Sequence, residues 1–257
     1  MPEMTAYRDG MPSWTDLASP DMEAAKAFYM SLFGWEAEIS PAPEAGGYTL
    51  FTLRGKQVAG LGPVMAPDQP PAWMTYINES DADGTVKRAA DAGGTVVVPP
   101  MDVMEQGRMA ILADPTGAVL GIWQPALHTG AQLVNEPGAY CWSELATRDP
   151  ERAKAFYAAA FEWEANTQSM GPMEYTEFKV DGQSIAGMFP MGDTMPADMP
   201  SYWGVYFAVA DCDATVATAV SLGANLVTAA MDIPIGRFAG LRDPQGAYFS
   251  VIQLARA

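Results

Sequence analysis

The chain is short of the residues that hold metals and nucleic acids. It has one histidine, His128, and two cysteines, Cys141 and Cys212, in 257 residues. The cysteines show no CxxC or ligand-type spacing and read as reduced core thiols. Basic residues are also few, 14 Lys and Arg against 31 Asp and Glu, for a net charge of -17. A field of that sign repels phosphate backbones and anionic lipid, so no nucleic acid and no membrane is expected as a partner. No apolar run approaches the roughly 20 residues of a membrane span. The opening residues lack the basic and apolar segments of a signal peptide, so a cytoplasmic protein is expected. GxSxG, HExxH, GxxxxGK[ST] and GxGxxG are all absent, which removes the common hydrolase, metalloprotease and nucleotide signatures. Ser/His/Asp catalysis is excluded, because the single histidine falls in a predicted linker. There it is expected to be solvated.

What is present is a duplication. Trp14-Thr-Asp-Leu-Ala-Ser-Pro-Asp21 followed by EAAKAFYMSLFGWEAE returns as Trp142-Ser-Glu-Leu-Ala-Thr-Arg-Asp149 followed by ERAKAFYAAAFEWEAN. Tyr48-Thr-Leu-Phe returns as Tyr175-Thr-Glu-Phe, and Ala59-Gly60 as Ala186-Gly187. Trp73 and Tyr76 return as Trp203 and Tyr206, Gly107-Arg108 as Gly236-Arg237, and Asp114-Pro-Thr-Gly as Asp243-Pro-Gln-Gly. Matches in one constant order mark an internal repeat. It divides the chain into a first domain at 10–125, a linker at 126–138 and a second domain at 139–257.

Each half divides again. Trp14–Ser19 alternates as a strand does. Asp21 can cap a helix whose apolar stripe includes Phe28 and Tyr29, and Gly34 can end it. Strands are expected near Trp35–Ile39, Tyr48–Arg54 and Gln57–Val64. The second quarter repeats the order: a strand at Trp73–Asn78, a helix at Asp83–Ala92, then strands near Thr95–Val98, Arg108–Ala113 and Ala118–Gln124. The fold class is therefore α+β, four βαβββ modules forming two tandem domains.

These motifs carry a resemblance. The strand, the capping Asp, the helix ending AKAFYxxxFxW and the closing DPxG hairpin resemble the modules of the vicinal-oxygen-chelate superfamily, which unites glyoxalases, bleomycin-resistance proteins and extradiol dioxygenases. The chain is similar to its two-domain "hydroxylase" or glyoxalase-like subgroup over nearly its whole length. The resemblance implies sheets curved around a cup, with a divalent metal at the cup's base in the enzymes. The ligands there are His, Gln or Glu on a module's first strand and Glu on its last. Aligned by the capping Asp and the DPxG turn, those positions hold Trp14, Met74, Trp142 and Gly204, then Gly121 and Ser250. In modules one and three the closing positions fall in the apolar stretches Val58–Leu61 and Ile185–Met188. No metal and no other cofactor is expected.

Strand alternation, if the family's ligand position faces the cup, gives the lining instead. Asp16 and Glu144 are the candidate catalytic groups, carboxylates among apolar neighbours that could act as acid, base or anchor. Arg108 and Arg237 either pair with them or hold the closing hairpin. Trp14, Met74, Tyr76 and Trp123 line the first cup; Trp142, Gly204, Tyr206, Tyr248 and Ser250 line the second. Repeat-equivalent Trp14 and Trp142 either bind ligand or fill the volume of a lost metal site.

The expected partner is a small molecule, aromatic or hydrophobic, a metabolite or an antibiotic bound without metal. The alternative is a metal-independent lyase, isomerase or hydratase using Asp16 or Glu144 as general acid/base. A metal-dependent glyoxalase or dioxygenase ranks third. The chain is expected to act as a monomeric pseudo-dimer, with further homodimerisation left open.

Overall fold

The computed structural model describes residues 3–170, 173–193 and 195–255. Among these residues the first half runs β1 (Pro12–Ser19), α1 (Met22–Phe33), β2 (Glu36–Ile39), β3 (Thr49–Leu53), β4 (Lys56–Pro63), β5 (Ala72–Asn78), α2 (Ala82–Asp91), β6 (Thr95–Val103), β7 (Gly107–Ala113) and β8 (Val119–Pro125). The second half repeats it as β9 (Tyr140–Thr147), α3 (Pro150–Phe161), β10 (Glu164–Met170), β11 (Met173–Val180), β12 (Gln183–Pro190), β13 (Tyr202–Ala208), α4 (Cys212–Ser221), β14 (Asn225–Ile233), β15 (Gly236–Arg242) and β16 (Tyr248–Leu254). Each helix starts on an Asp whose carboxylate accepts a backbone N–H: Asp21 from Ala24, Asp81 from Gly84, Asp149 from Arg152 and Asp211 from Ala214. Such caps contribute about 1 kcal/mol each. Gly34 ends α1 in the left-handed conformation at φ 70°.

Each half makes one eight-stranded sheet, in the orders β2-β3-β4-β1-β5-β8-β7-β6 and β10-β11-β12-β9-β13-β16-β15-β14. Modules one and two therefore share a sheet, as do modules three and four. The first strands of each pair, β1 with β5 and β9 with β13, meet antiparallel at the centre. The strand at Thr95–Val98 is longer than its sequence suggests, continuing through Pro99-Pro100 to Val103. It lies at the sheet edge, where a proline's missing N–H need not be paired, and its register shifts around Val98 and Met101.

The cores cross the halves. One cluster joins module one (Leu17, Phe28, Tyr29, Trp35, Phe51), with Trp73 of module two, to module four (Phe207, Cys212, Leu241, Phe249). The other joins module two (Ile77, Val86, Leu112, Leu120) to module three (Leu145, Phe156, Tyr157, Trp163). Two matching polar relays sit inside them. Trp73 Nε1 donates to the Tyr29 hydroxyl (2.9 Å), which donates to Asp243 (3.0 Å). Trp203 Nε1 donates to Tyr157 (2.8 Å), which donates to Asp114 (2.9 Å). The Asp of each DPxG turn thus receives a tyrosine from the opposite half. With both helical faces turned inward, each sheet presents its other face outward.

The linker is not a loose tether. Ala131, Leu133 and Val134 are buried. Gln132 pairs through its backbone with Gln57 and Met4, and Glu136 forms an ion pair with Arg54. No helix among the described residues is long and apolar enough to cross a membrane.

Candidate functional site

The outward face of each sheet carries the same four-residue cluster. In the first half Trp14 and Asp16 point from β1. Trp14 Nε1 donates to the Tyr48 hydroxyl and Tyr48 donates to Asp16 Oδ2, both at 3.1 Å. The Tyr76 hydroxyl also lies beside the Asp16 carboxyl. In the second half Trp142 Nε1 donates to Tyr175 at 3.1 Å. Tyr206 donates to Glu144 Oε2 at 2.6 Å, and the Tyr175 hydroxyl adjoins the same carboxyl.

Glycines make these clusters possible. Gly60 is paired with Asp16 across the sheet, and a Cβ on it would collide with the Tyr48 hydroxyl. Gly187 pairs with Glu144, and a Cβ there would strike Tyr175 Oη and come within 2.9 Å of Trp142 Nε1. Gly121 lies under the Tyr76 ring in the same way. Tyr48, Tyr76 and Tyr175 thus occupy space that only a glycine backbone leaves free.

Burial governs the charge of the clusters. Desolvation raises the Asp16 pKa from 3.8 to about 6, against the opposing pull of hydrogen bonds from Tyr48 and Tyr76. Glu144 is raised by the same cause, with Tyr206 and Tyr175 opposing. Tyr48, Tyr76 and Tyr206 are raised by burial and then by the adjacent carboxylate. Each cluster can therefore accept or donate a proton at its carboxyl group, with phenols fixed as donors beside it.

The two cups differ in exposure. In the first, Trp14, Tyr76 and Trp123 are only 3%, 7% and 6% exposed. In the second, Trp142, Tyr206 and Tyr248 are partly exposed. The expectation of a solvated His128 is corrected here. The linker lays its ring edge-on to Trp14 with centroids 4.4 Å apart, and beside Trp123 at 5.5 Å. Trp123 Nε1 donates to the His128 carbonyl at 2.8 Å, and Nδ1 meets Gln57 at 3.1 Å. Burial lowers the imidazole pKa to about 4, so the ring is neutral at ordinary pH; its Nε2 is buried with no partner.

Arg108 and Arg237 are also corrected: neither faces a cup. Arg108 holds Asp83 at the start of α2 and Asp102 on β6; Arg237 holds Asp213 and Asp232 in the same way. Arg108 is paired with Gln124, whose side chain caps the Ala82 amide on the helical side of the sheet. Of the other expected residues, Met74 and Gly204 pair directly with Asp16 and Glu144. Ser250 is buried beside the Tyr248 hydroxyl at 3.2 Å. Tyr48, Tyr175 and Tyr202 were missed, although the first two stand out as a repeated pair. Tyr202 lies edge-on to Tyr248, with centroids 5.9 Å apart.

The donor sets do not fit the metal that the fold implies. Each cup floor offers one carboxylate with two phenols, and Gly, Met and Trp stand at the ligand positions. Among the described residues no three His, Cys, Asp or Glu side chains converge on a common point.

Comparison with known families settles the lineage. Residues 12–122 match the family described as Glyoxalase/Bleomycin resistance protein/Dioxygenase superfamily, and residues 126–252 match the Glyoxalase-like domain. The chain belongs to this superfamily. Over 261 residues it is 43% identical to the provisionally named glyoxylase CFP32 of Mycobacterium tuberculosis, covering 99% of each chain. It is 40% identical over 269 residues to the anthracycline biosynthesis protein DauV of Streptomyces sp., covering 99% of this chain and 97% of that one. The Mn(II)-bound glyoxalase from Novosphingobium aromaticivorans matches with a TM-score of 0.63 at 14% identity, over 96% of this chain and 85% of the other. At that identity the likeness to this glyoxalase-superfamily structure is one of fold.

Proposed function

We propose that this glyoxalase-superfamily chain binds a small planar aromatic molecule, without a metal, in the cup of its second half. The observation that carries the reading is the partly exposed cluster Trp142, Tyr175, Tyr206 and Glu144, extended by Tyr202, Tyr248 and Phe238. Aromatic walls bury planar ligands, and a few convergent polar groups orient them. Glu144 and the two phenols beside it supply those groups. The first cup holds its own occupant, His128 against Trp14, and is the lesser site. The relatedness to an anthracycline biosynthesis protein supports a polycyclic aromatic ligand.

A second reading is favoured by the raised pKa values of Asp16 and Glu144. A carboxyl raised above its ordinary range can take a proton from a bound ligand and return it, the requirement of an isomerase, lyase or hydratase. In that case Glu144 is the proton carrier and Tyr206 and Tyr175 stabilise its anion.

Titration of tryptophan fluorescence with a panel of aromatic metabolites tests the binding site. Burying one ring against an indole is worth roughly 1–3 kcal/mol. Trp142→Ala should therefore weaken binding about tenfold or more, and Trp14→Ala should matter less. Equal losses would overturn the choice of cup. Elemental analysis of untagged protein with one tightly held Fe, Zn, Mn or Ni per chain would overturn the metal-free reading. Turnover abolished in Glu144→Gln with binding retained would establish the second reading.

A further inference from the structure

The two halves, read against each other, show which positions have diverged around a shared floor. In the second sheet Glu144 pairs with Gly204, and Tyr248 pairs with Arg242. Tyr206 is level with Ser250 across the parallel pair β13–β16, so Gly204 is level with Tyr248; a Cβ on Gly204 would stand 3.8 Å from the Tyr248 ring. Glu144, Gly204, Tyr248 and Arg242 therefore form one row across four neighbouring strands, on one face. Three strand spacings separate its ends, about 14 Å. The same row in the first sheet is Asp16, Met74, Val119 and Ala113.

Three differences follow from this comparison. Gly204 lacks the side chain that Met74 extends, and the Tyr202 and Tyr248 rings close in beside it. Tyr248 offers a ring where Val119 offers a branched aliphatic group. Arg242 offers a cation where Ala113 offers none. Arg242 is exposed and makes no ion pair or side-chain hydrogen bond among the described residues, whereas Arg108 and Arg237 are each held by two carboxylates. Its charge reaches the Tyr202 and Tyr248 hydroxyls, whose pKa values it lowers against the larger effect of burial. In a chain of net charge -17, an unpaired guanidinium at the end of this row, beside Tyr202 and Tyr248, favours an anion there.

We propose that Arg242 selects ligands of the second cup that carry an acidic substituent: planar fused-ring carboxylates. The rings lie along the partly exposed Tyr202 and Tyr248, one edge meets Glu144 and Tyr206, and the carboxylate meets Arg242 at the rim. Guanidinium and carboxylate match as a two-pronged hydrogen-bonded pair, which a neutral amide cannot reproduce. This rests on the aromatic-cup reading and adds the charge of the ligand to it.

The test uses two probes of one shape, anthracene-2-carboxylate and anthracene-2-carboxamide, titrated into the full chain at pH 7.5 by tryptophan fluorescence. The wild type should bind the carboxylate about tenfold more tightly. Arg242→Gln should bring the carboxylate down to the carboxamide and leave the carboxamide unchanged; Arg242→Lys should recover part of the difference. The side chain is exposed and unpaired, so neither substitution threatens the fold. Equal affinity of the wild type for both probes, or equal loss of both in Arg242→Gln, overturns the role of Arg242 while leaving the aromatic cup intact. Binding of neither probe overturns the aromatic cup, and the acidic-ligand inference falls with it.

Discussion

Replacing Asp16 by Asn should make the protein more stable at neutral pH, although it exchanges one carboxylate oxygen for an amide NH2. The Asp16 pKa is about 6 in the folded chain against an ordinary 3.8. Below pH 3.8 the group is protonated in both states and has no effect. Between 3.8 and 6 the folded state keeps a proton that the unfolded state has released, so stability falls as pH rises. Above pH 6 the full cost is present, and a pKa rise of this size corresponds to about 3 kcal/mol. Asn carries no charge to desolvate, and its carbonyl oxygen can still accept from Tyr48 and Tyr76. Its amide must find a partner of its own, so a gain of about 2 kcal/mol is expected at pH 8. For a chain of this size that is a rise of roughly 4–8 °C in Tm. Scanning calorimetry of both proteins from pH 4 to 8 reads it directly. The curves should cross between about pH 4 and 5, where the carboxylate's cost equals the amide's, and separate through pH 6, with the slope that Glu144 contributes present in both proteins. Parallel curves, or a variant less stable at pH 8, would refute the placement of a desolvated acid on the cup floor.

Two further outcomes follow from the same geometry. Gly187→Ala places a methyl group where the Tyr175 hydroxyl and Trp142 Nε1 now lie, at a cost of about 1–3 kcal/mol; it should abolish aromatic-ligand binding while the chain stays folded by circular dichroism, and unchanged binding would count against the floor. His128→Ala removes the ring from Trp14; acrylamide should then quench an additional tryptophan, and an unchanged quenching curve would show that the linker does not cover the first cup.

The module boundaries, helix caps and inward aromatic stripe were legible in the sequence because they are local and occur in duplicate. Phe28, Tyr29, Phe156 and Tyr157 are buried as the helical spacing requires. The pairing of modules was not legible, and the answer is double: modules one and two share a sheet, yet module one shares its core with module four. Nothing in one half encodes that Tyr29 meets Asp243 until both turns are placed. Tyr48 and Gly60 were visible as repeats, but only the register of β1 with β4 brings a tyrosine over a glycine beside Asp16. Arg108 could have been set aside from alternation, since it pairs with Gln124 on the helical side. His128 could not have been placed, because its position depends on the path of the linker along Ser13 and Gln57.

Energetics favours a functional role for the two carboxyls over simple filling. A cup that had merely closed over a lost metal site would be served by neutral groups. Asparagine or glutamine at positions 16 and 144 would accept the same phenolic hydrogen bonds without the cost of a buried charge at neutral pH. Instead both copies hold an acid there, each pushed upward by desolvation and each flanked by two phenols that soften the cost without removing it. The copies have otherwise diverged at neighbouring positions, Met74 against Gly204 and Ala113 against Arg242. A destabilising acid in both copies, amid surroundings that differ, supports the proposed proton-handling or ligand-anchoring role, since a carboxyl, unlike an amide, can take up and release a proton. In the second copy Trp142, Glu144 and Tyr206 are partly exposed, and under the proposed function that is where the carboxyl meets a ligand.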